Sequence, residues 1–339
     1  MYHKTIIQGR LEFGNPKSYE KVVKLFHSRA ETYYKSDILL KEETYFNDEN
    51  KSIVIPRMVI QSTDKAWKNT VNLLEYISQF AVSGWIGVWM TDSGTIMRYA
   101  KIEPNCDKAA VQSFLKGRKL YGKKGKEKEA LDALSTAISK YDRHAQAYEH
   151  RAYVNFKLGN IEDALYDFDK SLKIDPTNPE AYVGRAKLNW KQGKQKEAID
   201  DLDLSIKNAI ALQPVYWRAR LLKAEYSIKM NDYKSAAFDL KWYTKRKFLS
   251  SDKNFLRRKY AFFLYGKVLL ELEEFDSAFA AFEEALAITE SSDRIKEADI
   301  LMQRGLARQK NGKKGFLKDW KEAASQGSKK AKTLLEAHS

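Results

Sequence analysis

Apolar side chains follow two different periods along this chain, and the change falls near residue 105. In the first stretch Ile7, Gly9, Leu11 and Phe13 alternate with Gln8, Arg10 and Glu12, which predicts a half-buried strand. Asn15-Pro16 suits a helix cap and first helical residue, and Val22, Val23, Phe26, Ala30 and Tyr33 then recur at helical spacing. Ile38, Leu40 and Glu42 alternate again as a second strand, and a turn at 47–50 leads into a strand-like run over 52–61. Pro56 in that run marks an edge, a bulge or a break, because proline cannot donate to a ladder. Thr63-Asp64 opens a second helix with Trp67, Val71, Leu74 and Ile77 along one side. Residues 85–90 and 95–102, joined by Asp92-Ser93-Gly94, read as a hairpin. The order β-α-β-β-α-β-β predicts an α+β domain over 1–105, compatible with a ferredoxin-like sandwich carrying one extra strand.

From residue 111 the spacing is helical and the pattern repeats. Blocks 111–144, 145–178 and 179–212 align without a gap at a period of 34 residues. In the middle block Tyr148, Ala152 and Phe156 form one i, i+4, i+8 stripe and Ala164, Phe168 and Leu172 another. Gly159-Asn160 separates the two, and Asp175-Pro176 closes the unit. The block resembles a tetratricopeptide repeat (TPR), whose characteristic small, aromatic and proline positions correspond to Tyr148, Ala152, Gly159, Ala164, Phe168 and Pro176. The flanking blocks match through Phe114, Gly125, Ala130, Leu134 and Ala137, and through Tyr182, Ala186, Gly193, Ala198 and Leu202. Less regular copies occupy 217–250, 259–292 and 298–328, the last without an alanine in register at Lys314-Gly315-Phe316. The resemblance implies an all-α superhelical solenoid of about six helix pairs over 106–339, ended by a polar capping helix.

Charge sharpens the picture. Of the formal net charge of +15, residues 1–110 hold +2 and residues 111–339 hold +13. The lone cysteine, Cys106, cannot form an internal disulfide, and no apolar run is long enough to span a bilayer. A cytoplasmic protein without a membrane partner is the expectation. No phosphate-cradling glycine loop, nucleophile elbow or metal-ligand spacing of His3, His27, His144, His150 and His338 is present, so the chain reads as a non-enzyme without metal or cofactor.

Binding is therefore the expected function. The resemblance implies that first helices line a concave groove, where Lys119, Lys123, His150, Tyr153, Lys157, Lys187, Trp190 and Lys191 fall. Basic and aromatic side chains in that pattern suit a protein segment that is acidic or contains an aromatic anchor. The carboxylate clamp that grips chaperone tails in this family is absent: Leu115, Lys119, His150, Glu180 and Gly184 stand at its positions. The α/β domain would then be a docking or dimerisation module. The alternative is an RNA- or ribosome-associated factor, for which KWYTKRKFLSSDKNFLRRK, with Lys245, Arg246, Lys247, Arg257 and Arg258, offers phosphate contacts. Trp85, Gly87 and Trp89 share one strand face. Exposed, they could stack bases; without an accompanying basic-glycine-aromatic run, packing in a core or domain interface is the reading.

Overall fold

The computed structural model describes residues 1–41, 43–293 and 295–338. They form two compact units, Met1–Leu188 and Asn189–Ser339.

In the first unit β1 (His3–Glu12), β2 (Phe46–Asn47), β3 (Ser52–Ser62), β4 (Ser83–Asp92) and β5 (Thr95–Ile102) make one antiparallel sheet of order β2-β3-β1-β4-β5. Two helices, α1 (Pro16–Ser28) and α2 (Asp64–Ser78), begin at side-chain caps from Asn15 and Thr63. Their apolar faces supply Val22, Phe26, Trp67, Leu74 and Ile77 to a core shared with Ile7, Leu11, Ile53, Ile86 and Val88. This is the ferredoxin-like order with β5 added at the edge. At Pro56 the pairing steps from Ile7↔Met58 to Gly9↔Ile55, so two residues of β3 oppose Gln8 in a bulge.

Two local expectations are corrected. Ile38 and Leu40 are buried, but in a loop; the short second strand lies later, at Phe46–Asn47, and Glu42 lies outside the described residues. Side chains of α2 take up the backbone there: Thr70 Oγ1 accepts from Leu39 N at 2.8 Å, and Asn69 Nδ2 donates to Asp37 O at 2.9 Å. The helical stripe also breaks before Tyr33, which is 71% exposed. A wide π turn over Arg29–Tyr33 changes the phase, and Tyr34 enters the core instead.

The sheet is fastened to the first helices that follow it. Glu12, at the end of β1, is buried and accepts from Tyr141 Oη at 2.8 Å and from the Arg10 guanidinium; Arg143 stands 3.6 Å away. Arg10 also donates to Ile174 O at 2.5 Å, and Gln146 Oε1 accepts from Gly84 N at 3.1 Å. Removing any one partner leaves buried charge or polar backbone behind, so the knot resists piecemeal opening.

The remaining chain is helical. Antiparallel neighbours α3 (Ala109–Leu120) and α4 (Glu127–Lys140), and α5 (Ala145–Leu158) and α6 (Ile161–Ile174), belong to the first unit. After α7 (Pro179–Lys191) the second unit holds α8 (Gln195–Asn208), α9 (Pro214–Lys229), α10 (Tyr233–Lys245), α11 (Arg258–Glu271), α12 (Phe275–Ala287), α13 (Glu297–Lys310), α14 (Phe316–Ser325) and α15 (Lys329–Glu336). Within each pair the turn needs a residue of left-handed conformation. Gly125, Gly159, Gly193 and Gly312 provide it at φ between +65° and +87°, while Asn231 and Glu273 adopt +59° at the equivalent turns. On α15 Ala331 is buried and the flanking lysines are exposed, as a polar end helix requires.

Candidate partner-binding surfaces

The side chains singled out from the sequence separate into exposed ones and ones packed within the protein. In the first unit Lys119 and Lys123 are exposed around the end of α3. Lys157 is exposed and pairs with Glu127 at 2.6 Å. His150 and Tyr153, one turn apart on α5, sit in a ladder of rings. Phe114 and Tyr121 stand 5.4 and 5.3 Å from His150, and Phe168 stands 5.0 Å from Tyr153. The Tyr153 hydroxyl donates to Glu180 O at 2.7 Å. Lys187 is half-buried on α7. His150 and its buried neighbour His144 are held neutral. Burial pushes His144 down to about 3 and His150 down to about 4. Nδ1 of His144 caps α5 by accepting from Ala147 N.

In the second unit Lys191 is exposed and Trp190 is half-buried. Trp190 lies flat on Tyr226 of α9, with ring centroids 3.9 Å apart and planes 11° apart. The Lys229 ammonium stands 5.6 Å from the Trp190 ring and 5.8 Å from that of Tyr226. Next to Tyr226, Glu225 is raised by burial and restrained by the Arg257 guanidinium 3.1 Å away. Burial likewise pushes the Tyr226 and Tyr260 hydroxyls up to about 12. The result is a flat aromatic slab edged by the Lys229 ammonium.

The basic cluster divides. Lys245 and Lys247 are exposed. Arg246 covers the Trp217 ring at 5.6 Å, and Arg258 lies 3.7 Å over Phe255 while donating to its carbonyl. Arg257 bridges Glu225 and Asp293, at 3.1 and 3.0 Å. Three of the five cations are thus committed to the protein itself.

Trp85 and Trp89 lie on the face of the sheet away from the two helices. Trp89 is only 2% exposed, held edge-on by Trp85 and stacked by Tyr99 at 5.2 Å. A Cβ at Gly87 would fall 2.1 Å from the Trp89 ring, so the glycine makes room for it. No base can reach the faces of a ring packed in this way.

A set of buried carboxylates carries no local signal in the sequence. Asp167, Asp201, Asp239 and Asp319 each sit on the second helix of a pair, and a side chain of the first helix holds each one. Arg151 takes Asp167 at 2.7 and 2.8 Å, Asn189 takes Asp201 at 3.0 Å, Arg220 takes Asp239, and Arg304 takes Asp319 at 2.6 and 3.2 Å. The interval from Asp167 to Asp201, one full 34-residue period, was the available signal.

Residues 153–193 match a family described as TPR repeat, and residues 260–292 one described as Tetratricopeptide repeat. The chain carries tetratricopeptide repeats. Among solved structures, YrrB, described as a TPR protein with an unusual peptide-binding site, is similar with a TM-score of 0.51 at 18% identity, over 61% of this chain and 99% of its own. PilF of Pseudomonas aeruginosa is similar with a TM-score of 0.52 at 16% identity, over 69% of this chain and 99% of its own. Both likenesses are of fold. The curated proteins contain no match to the sequence. The helix pairs are thus a TPR solenoid, a fold whose members typically act as protein-interaction scaffolds. Among the described residues no helix is long and apolar enough to cross a membrane.

Proposed function

We propose that this protein is a non-catalytic TPR adaptor that holds an extended protein segment against first-helix side chains of its repeats, with the slab of Trp190 and Tyr226 as the anchor. The observation that carries the reading is that stack, with Lys229 at its edge. A half-buried tryptophan fixed by a neighbouring ring loses little entropy on binding, which is what an anchor needs. Lys229, with the exposed Lys191, favours a segment carrying an acidic residue beside an aromatic or aliphatic one. YrrB, of the same fold, is described as having a peptide-binding site. In the first unit Lys119 and Lys123 supply exposed basic character of their own, with Lys157 paired to Glu127 and His150 and Tyr153 as packed support.

The α/β domain over 1–105 docks, on this reading, onto its own first repeats through the Glu12 knot, giving the solenoid over 106–339 a fixed start. The RNA reading is the weaker one, because Arg246, Arg257 and Arg258 are occupied within the protein.

A peptide-library selection on the immobilised full chain tests this. Selected sequences should be enriched in acidic and aromatic residues. Their affinity should fall at least about tenfold for Trp190→Ala and for Lys229→Glu, with the thermal midpoint of Lys229→Glu unchanged. Selected peptides that bind both variants as tightly as wild type would remove the slab from the site.

A further inference from the structure

Helix α10 presents an outer face that the groove reading does not use. Phe238 is 59% exposed and Trp242, one turn on, 52% exposed. Lys234, Lys241 and Lys245 are exposed as well. At 3.6 residues per turn these five side chains occupy a stripe about 100° wide. Opposite it, Ala236, Leu240 and Tyr243 are buried in the core of the second unit. The one acidic residue of α10, Asp239, is buried and bonded to Arg220, so the outer stripe carries positive charge alone. Just past the helix, Phe248 turns into the core, while Lys247 is exposed and Leu249 is 72% exposed.

Two rings and a leucine standing in water among lysines are costly features for a helix whose inner face already satisfies the core. Their arrangement narrows the occupant. The stripe is a ridge on the outside of a helix; among the described residues Phe238 and Trp242 do not stack on one another, and the Arg220 guanidinium already stands 5.7 Å from the Phe238 ring. Successive bases need flat platforms with free π faces, and Leu249 has none to give. Aromatic tips, an aliphatic tip and a collar of lysines instead match the layered chemistry of a bilayer surface, where rings settle at headgroup depth and ammonium groups meet phosphates.

We propose that the outer face of α10, with Leu249, rests on an anionic phospholipid surface. Lys234, Lys241, Lys245 and Lys247 meet the headgroups, while Phe238, Trp242 and Leu249 enter the interfacial layer. Such contact requires no spanning helix, so it revises the sequence expectation of no membrane partner without touching the reason for it. It is independent of the groove.

Sedimentation of the full chain with vesicles provides the test. One set is phosphatidylcholine alone, and the other is an equal mixture of phosphatidylcholine and phosphatidylserine. At low salt the chain should bind the mixed vesicles at least about tenfold more tightly than the neutral ones, and the difference should shrink as salt rises. Phe238→Ala with Trp242→Ala, and separately Lys234→Gln with Lys241→Gln and Lys245→Gln, should each weaken that binding at least about tenfold. Tryptophan fluorescence of the unaltered chain should be quenched when the phosphatidylcholine is brominated, a readout that depends on no variant folding. Absence of binding to mixed vesicles at low salt, binding that survives both variants, or binding without quenching would each overturn the proposal. Capture of a single-stranded oligonucleotide in place of vesicles, lost in the same variants, would overturn it too and assign the stripe to nucleic acid.

Discussion

Arg151 on α5 holds Asp167 on α6 through two parallel hydrogen bonds, of 2.8 and 2.7 Å, across the inside of one repeat. The carboxylate is buried, and Asn155 and Ser135 extend the contact. A forked guanidinium fits a carboxylate in this way where a lysine cannot. Arg151→Leu is therefore expected to cost about 3–5 kcal/mol, because the buried Asp167 carboxyl loses its guanidinium partner and keeps only the long bond from Asn155. The double variant Arg151→Leu with Asp167→Leu should regain much of that loss. Urea unfolding followed by circular dichroism measures both, and equal losses in the single and double variants would contradict the clamp.

The second strand lies later than the alternation at 38–42 suggests, but the repeat period, the capped helices of the α/β domain and its closing hairpin are visible in the letters, because period and turn chemistry are local. Asp167 is not, since an acidic residue on a helix normally faces water, and only its partner sixteen residues earlier brings it inside. The groove was legible in part. Position along the repeat picks out Trp190, but the flat contact with Tyr226 depends on how two successive first helices meet. Arg257 looks like free charge for the same reason. Glu225 and Asp293, which it bridges, lie 32 residues before and 36 residues after it.

The turns between paired helices yield a test of backbone strain. Gly159 holds φ +87° with open space around its missing Cβ, so Gly159→Ala is expected to cost about 1–2 kcal/mol through the backbone alone. Glu273 adopts φ +59° at the equivalent turn, a conformation that penalises its Cβ. Glu273→Gly should stabilise the second unit by about 1 kcal/mol. The opposite ordering of thermal midpoints would show that these turns are not under backbone control.

Buried His144 and half-buried His150 set an acid limit. Each is held neutral in the folded state, His144 down to about 3 and His150 down to about 4, because burial penalises the imidazolium. The unfolded chain takes up these protons near the ordinary histidine value of about 6.5. Their neutral burial is harmless above that pH. Stability is then lost as pH falls from about 6.5, at up to about 1.4 kcal/mol per pH unit for each histidine, and the loss levels off near 3–4. Between pH 6.5 and 5 few carboxylates titrate, so the histidines dominate. His144→Asn keeps a side chain able to cap α5 and should flatten the slope of unfolding free energy in that window; an unchanged slope would assign it to other groups.

The last expectation separates structural from available charge in the basic cluster. Arg257 stands between Glu225 and Asp293, both raised by burial, and it is the main group that restrains them. Without it the two carboxylates face one another, with Lys229 and the Tyr260 hydroxyl left to offset Glu225 and the Ser291 hydroxyl to offset Asp293. Arg257→Gln should therefore destabilise the second unit at pH 7 by about 1–2 kcal/mol, a figure kept modest because Arg257 is 38% exposed. The sign of its pH dependence follows. A carboxylate raised in the folded state binds its proton more readily there than in the unfolded chain, so lowering the pH relieves the penalty. The deficit of Arg257→Gln relative to the unaltered protein should accordingly shrink as pH falls towards 4.5. Lys245→Gln with Lys247→Gln, at two exposed side chains, should leave the thermal midpoint within about 1–2 °C at every pH. If the lysine pair destabilises the fold as much as Arg257→Gln does, the cluster acts as one structural unit and its lysines are not available charge.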